Sequence, residues 1–312
     1  MSPTCAIVVC DHGLGHVRRC ALMAKEREQS GEQVTLFAPR ESVERFQRAV
    51  PSTCGLTIRD FATRTTPERV KQGLPEAVEW VGRLPDLDGF DTVICDNLPE
   101  ILARRPDAMI SAQFFWHDVI EGAAQDYAEY CDELLAEHKP TVIGCELFAM
   151  DAVRRQPGFT PVGLYKLPEL VAAAETMPPE QRTDLLVTGG TTPAARKKMG
   201  HVIDSLIEES GGAYRRVHVD PELVPDNAPD WMVSANFSIE MYCRLKDAVC
   251  RPGLGVITDL LTVGVRPVAF YENGNAEMEN NAGVLEERGL GTDISDAQYG
   301  VSQLLALIKE GQ

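Results

Sequence analysis

Short apolar runs return along this chain, each followed by a polar stretch of helical character. That alternation constrains the fold more than any other feature. AIVVC (6–10) leads into a helix expected over about 16–29, stopped at Gly31. QVTLFAP (33–39) precedes the helical ESVERFQRAV, and LTIRDF (56–61), DTVICDN (91–97), AMISAQFF (108–115) and TVIGCE (141–146) are further strand candidates. Over 157–183 the pattern breaks, with five prolines in mixed polarity. It then restarts with DLLVTGG (184–190), YRRVHVD (214–220), WMVSANF (231–237), DAVCRPG (247–253) and RPVAFYE (266–272). Helices are expected to about Ser210, to Val263, and over about 277–288 and 301–310. Continuous rather than alternating apolar runs mark strands buried on both faces of a parallel sheet that helices cover. The expectation is an α/β chain of two Rossmann-like domains facing across a cleft. The first spans 1–160, a linker 161–182, and the second 183–312. Ligands of open α/β sheets sit beyond the carboxyl ends of the strands, and a cleft between two such domains is the default site.

Composition excludes several classes of function. Among 312 residues, 44% are apolar and 25% charged, as in an ordinary folded protein. No apolar run approaches the roughly 18 residues of a spanning helix. The N-terminus has no basic segment before its apolar run and no small-residue cleavage site after it, so a cytoplasmic protein is expected. A formal charge of -17 opposes binding to nucleic acid and stable association with anionic membranes, since both need a positive face. The nine cysteines are scattered without a CxxC pair, which suits small buried hydrophobes in a reducing compartment.

The stretch CDHGLGHVRRC (10–20) lies where the first strand ends and the first helix opens. Glycines there let the backbone approach a ligand, and a helix N-terminus offers unpaired N–H groups and a positive dipole end. A dinucleotide fingerprint fails: Arg18 stands where a third glycine is needed, and QVTLFAP ends without the ribose-binding acid. A metal pair of His12 and His16 also fails, because glycines separate them and His12 precedes the helix. Two readings remain. Either His16 presents its imidazole to a ligand, or it caps and packs its own loop.

The second half has two glycine-rich strand ends. LLVTGGTTPAARKK carries Gly189 and Gly190 before a Thr-Thr-Pro helix start, and VCRPGLGVITDLL sets Arg251 before Gly253 and Gly255. Both have the form of anion cradles made from backbone N–H groups. Asp259, about one and a half turns into the following helix, is placed to accept from a ribose hydroxyl. In the first half, CDNLPE (95–100) and SAQFFWHDV (111–119) end strands with polar or aromatic groups. Trp116, His117 and Asp118, with Asp96 and Asn97, are candidates to hold a small acceptor. The alternative is a core aromatic pair with Asp118 as a helix N-cap. The DLD at 86–88 lies in a turn before a strand and is not taken as a metal site.

These residues resemble the GT-B glycosyltransferases, nearest to the bacterial cell-wall N-acetylglucosaminyltransferase type (family 28). The matching pattern is Phe237, Met241, Asp247, Cys250-Arg251-Pro252-Gly253, Asp259, PVAFY and Glu277-Met278-Glu279-Asn280-Asn281-Ala282. The N-terminal GLGHVRR fits the same group, and PGFTPVGLY (157–165) sits where it has its interdomain hinge. The resemblance covers both halves and is weak between about 40 and 140. It departs at Asp259, where the family usually has Glu, at Val256, where it has Thr or Ser, and at Met278, where it has a sugar-binding Gln. The G-x-G-H-x-x-R of Gly13, Gly15, His16 and Arg19 is similar also to nucleotide-sugar hydrolases of the pseudaminic-acid pathway.

The resemblance implies an inverting, metal-independent transfer from a UDP-sugar to a hydroxyl of a small soluble acceptor. Hydrolysis to free sugar and UDP is the alternative. It implies His16 as base. Donor contacts are implied at Gly15, Gly189, Gly190, Thr191, Met241, Arg251, Gly253, Leu254, Gly255, Asp259 and Glu277. No cofactor is expected beyond the UDP-sugar as co-substrate. The expected partners are that donor, the acceptor and, as an assembly, a second copy of the chain.

Overall fold

The computed structural model describes residues 2–189, 193–208, 214–295 and 306. The chain divides into two compact units, Met1–Tyr165 and Lys166–Gln312. The expected helix over 301–310 lies outside the described residues.

In the first unit the strands are β1 (Thr4–Val8), β2 (Gln33–Ala38), β3 (Thr57–Asp60), β4 (Thr92–Asp96), β5 (Met109–Ser111), β6 (Val142–Cys145) and β7 (Phe159–Val162). Every pairing is parallel, in the order β3-β2-β1-β4-β5-β6-β7. The interior strands are the continuous apolar runs of the sequence: Cys5 to Val8, Ile94 and Cys95 are wholly buried. The edge strand β3 is largely exposed, as its polar TIRD sequence requires. Trp80, Leu98, Ile101, Leu102 and Tyr127 fill one face of this sheet.

In the second unit the strands are β8 (Asp184–Thr188), β9 (Arg216–Val219), β10 (Met232–Ser234), β11 (Leu245–Cys250), β12 (Pro267–Ala269) and β13 (Thr292–Asp293). They too are parallel, in the order β10-β9-β8-β11-β12-β13. Leu185, Val187, Met199, Val217 and Val249 form its core. Counted within each unit, both sheets follow the 3-2-1-4-5-6 order of Rossmann folds, the first with one strand more.

That order fixes where a ligand can sit. The chain leaves the first strand to one side and returns to the other with the fourth. Their carboxyl ends therefore emerge side by side with their crossover helices on opposite faces. In the first unit Val8 is paired with Cys95, so Cys10 to His16 and Asp96-Asn97 emerge together. In the second unit Thr188 is paired with Cys250, so Gly189 and Arg251 emerge together.

The segment expected as a linker over 161–182 is not a featureless connection. Thr160 and Pro161 belong to β7, the helix Pro168–Ala174 follows, and Pro179–Gln181 forms a short turn of helix. Pro161 is tolerated because β7 is an edge strand, where a missing N–H costs no ladder bond.

Candidate active site

The glycine turn works because Gly13 has φ 96° and ends the loop as the N-cap of the helix Leu14–Gln29, with no side chain capping that end. Such a φ is strained for any residue with a Cβ. His16 and Arg19 are three apart on this helix and so share a face. Both meet the carboxylate at the end of β4. His16 Nδ1 lies 2.7 Å from Asp96 Oδ2. Arg19 Nε donates to Asp96 Oδ1 at 3.0 Å, and its Nη2 donates to the same oxygen and, at 2.9 Å, to Asn97 Oδ1.

Asp96 is wholly buried. Burial alone would raise its carboxyl, but the Arg19 guanidinium and His16 outweigh it and hold the group below the usual carboxylate range. An ionised carboxylate can only accept. The tautomer follows: His16 Nδ1–H donates to Asp96, and in the neutral ring the lone pair is on Nε2. A base oriented by a buried acid is the arrangement that proton abstraction from a hydroxyl needs. Trp116 stacks near the His16 ring at 6.3 Å and 24°, and Phe114 meets it edge-on at 6.3 Å.

Asp96 and Asn97 were expected on the acceptor. Both are wholly buried and bonded to Arg19, so their polar atoms are turned to the helix Leu14–Gln29 rather than to open space. His117 also departs from that expectation. The His117 ring stacks on Phe115 at 5.7 Å, and its Nε2 lies 3.3 Å from Asp132, away from the contacts of Trp116. Asp118 is not an N-cap either, since the short helix Trp116–Val119 has no side-chain cap. Of that stretch Trp116 alone, among the described residues, joins His16 and His12, the latter at 5.1 Å.

In the second unit Arg251 takes its place from the sheet: its N–H donates to Thr188 O at 2.8 Å. Its Nε and Nη2 grip Glu272 at 2.7–3.0 Å, leaving Nη1 without a partner among the described residues. Asn275 steadies Glu272 at 2.9 Å and caps the helix Ala276–Glu287, accepting from Met278 N–H. Buried Asn281 donates to Pro252 O at 2.9 Å and so pins the Arg-Pro-Gly loop. The helix Leu254–Thr262 begins behind Gly253 with no side-chain cap. Its first N–H groups, Leu254 and Gly255 among them, are thus offered to an anion. A Cβ on Gly253 or Gly15 would meet no atom within 4 Å. Packing therefore does not demand glycine at either place.

Gly189 does not serve as an open cradle. Its N–H donates to Asp220 Oδ2 at 2.8 Å, and Thr188 holds the other oxygen, so a carboxylate already occupies the place expected for phosphate. Gly190 and Thr191 lie outside the described residues. Met241 and Met278 are buried, so neither offers a polar contact, and Met278 packs where the resemblance would place a sugar-binding amide. Asp259 is buried and not free, and Glu277 lies in the first turn of its helix.

The sequence reading missed Arg19 as the cation of the first site, and Glu272, Asn281 and Asp220 in the second. The spacing of His16 and Arg19 was the available signal. The other three depend on strands and helices distant in sequence. All nine thiols are free, eight of them buried. Among the described residues no group of three or more His, Cys, Asp or Glu is placed to hold a metal ion, and no helix is long and apolar enough to cross a membrane.

No family model matches the chain. An uncharacterized glycosyltransferase of Methanosarcina mazei is 23% identical over 93% of this chain and 85% of that protein. LpCGTa, solved in complex with UDP, superposes with TM-score 0.64 at 16% identity over 99% of this chain and 90% of its own. Acinetobacter baumannii MurG gives 0.55 at 14% over 98% and 91%. The glycosyltransferase SnogD of Streptomyces nogalater gives 0.61 at 16% over 99% and 91%. With two parallel Rossmann-type sheets and these structural neighbours, the chain has the GT-B fold.

Proposed function

We propose that this chain is a glycosyltransferase that moves a sugar from a UDP-sugar to the hydroxyl of a small acceptor, without a metal. The His16–Asp96 pair at the switch point of the first sheet carries the reading. His16 Nε2 takes the proton as the acceptor oxygen bonds to the anomeric carbon. The bond from that carbon to the diphosphate breaks, and its electron pair leaves on UDP. The imidazolium so formed is stabilised by ionised Asp96. A single displacement of this kind inverts the anomeric centre. Charge on the departing diphosphate is taken up by Arg251 and the uncapped N-terminus of the helix Leu254–Thr262, a fixed positive field that needs no reorganisation. Relatives named as glycosyltransferases, and a neighbour solved with UDP, support this choice over other uses of the fold.

UDP binding is the first test. UDP should raise the melting temperature by binding the folded state. Arg251→Ala should weaken UDP by about 1.5–3 kcal/mol, the worth of a charge-assisted contact, when titrated by calorimetry. A chain stabilised by another nucleotide but not by UDP or its sugars would overturn the donor assignment.

A further inference from the structure

The loop that follows β3 is fastened to the glycine turn. Asp11 accepts from the Thr63 hydroxyl at 2.7 Å and from the Arg64 N–H at 2.9 Å. Thr63 is wholly buried. Arg64, held by that bond, has φ 56°, a left-handed backbone that glycine or asparagine would adopt at less cost. Its side chain is exposed. The other arginines between 57 and 83 are each engaged. Arg59 lies 5.6 Å over the Phe37 ring. Arg69 and Arg83 share Glu79 at 2.6 and 3.3 Å, and Arg83 also covers the Phe61 ring at 5.8 Å. Arg64 makes no side-chain hydrogen bond, close ion pair or ring contact among the described residues; the carboxylate within its electrostatic reach is Glu79, which Arg69 and Arg83 already hold. Its anchor, Asp11, is followed by His12, whose ring meets Trp116, and Trp116 stacks near the base His16. The first unit thus spends a strained backbone position to fasten an exposed arginine, one of three beside the single Glu79, to the loop that carries His12, in a chain of net charge -17.

We propose that Arg64 is a specificity residue and that the acceptor is an anion: a hydroxyl compound that also carries a carboxylate or a phosphate. A guanidinium matches either group with paired N–H donors. Asp11 is the positioning residue that sets the loop. This rests on the transferase reading above, but its test reads binding rather than turnover.

The experiment is calorimetric titration of the full chain, with and without saturating UDP, using paired probes. D-glucuronate is compared with its methyl ester, and glucose-6-phosphate with glucose. The two pairs tell a carboxylate from a phosphate. Wild type should bind at least one anionic probe about tenfold or more tighter than its neutral twin, the scale of one charge-assisted contact. Arg64→Gly and Arg64→Asn, which accept the left-handed backbone, should erase that preference without lowering the melting temperature. Arg64→Lys should keep part of it, and His16→Ala all of it. Equal binding of both twins by wild type, or a preference undiminished in both Arg64 variants, overturns the proposal. If UDP fails to bind while the Arg64-dependent preference stands, the donor reading falls and this one survives.

Discussion

Arg19 is the residue that lets Asp96 stay ionised with no solvent contact. Removing one partner from such a buried pair leaves an unpaired charge, at about 3–5 kcal/mol. Asp96→Asn should therefore lower stability by an amount of that order. It should also cut turnover on the order of 10³–10⁴-fold, as when a catalytic histidine loses its orienting carboxylate. The pH dependence has a definite sign. The folded pKa of Asp96 lies below its usual value, because Arg19 and His16 outweigh burial. Its contribution is thus fully present above an unfolded value of about 3.9 and is lost as pH falls through the lower, folded value. Urea unfolding should show a gap between wild type and Asp96→Asn that holds from neutral pH to about pH 4 and narrows below it. A gap unchanged in stronger acid would mean that the pair contributes nothing through ionisation.

At the scale of elements, the turn Pro99–Ala103 after β4 docks on the helix Gln125–His138 through a buried acid. The Tyr127 hydroxyl donates to Glu100 Oε1 at 2.8 Å. Burial pushes the Glu100 carboxyl up to about 7. A folded pKa above the unfolded one means that stability is highest below the unfolded value of about 4.3, is lost as pH rises toward 7, and then levels. Glu100→Gln keeps an oxygen for Tyr127 and cannot ionise. Relative to wild type it should gain stability between pH 5 and pH 8, on the order of 2–3 kcal/mol, in chemical unfolding. A variant whose difference from wild type is flat over that range would show that Glu100 is ionised without penalty in the folded state.

The elements also show what the sequence made legible. Interior strands such as β1, β4, β8 and β11 read correctly because each carries an unbroken apolar stretch, with polar residues only toward its ends. The edge strand β7 was hidden by Pro161, which an edge tolerates and which a residue-by-residue reading takes for a linker. The glycine turns were visible because a strand end, a glycine and a helix start are neighbours in sequence. The role of Asp96 was not, since only the pairing of β1 with β4 brings it to His16. The Gly189 N–H looked free because its acceptor, Asp220, is 31 residues away.

Over the whole molecule the chemistry is divided between two units of like topology. On the proposed function the first holds the base and the acceptor, and the second holds the arginine and the uncapped helix that suit a diphosphate. Variants in the first unit should therefore change turnover and leave UDP affinity alone, while Arg251→Ala should change UDP affinity. The most direct measurement is UDP release from a UDP-sugar in EDTA, with and without an acceptor alcohol, by wild type and His16→Ala. The account predicts release that depends on the acceptor, persists in EDTA, and falls by roughly 10²–10⁴ in the variant, the usual worth of a positioned base. Release at the same rate with water alone, loss of release in EDTA with recovery on adding a divalent metal, or full turnover by His16→Ala would contradict it.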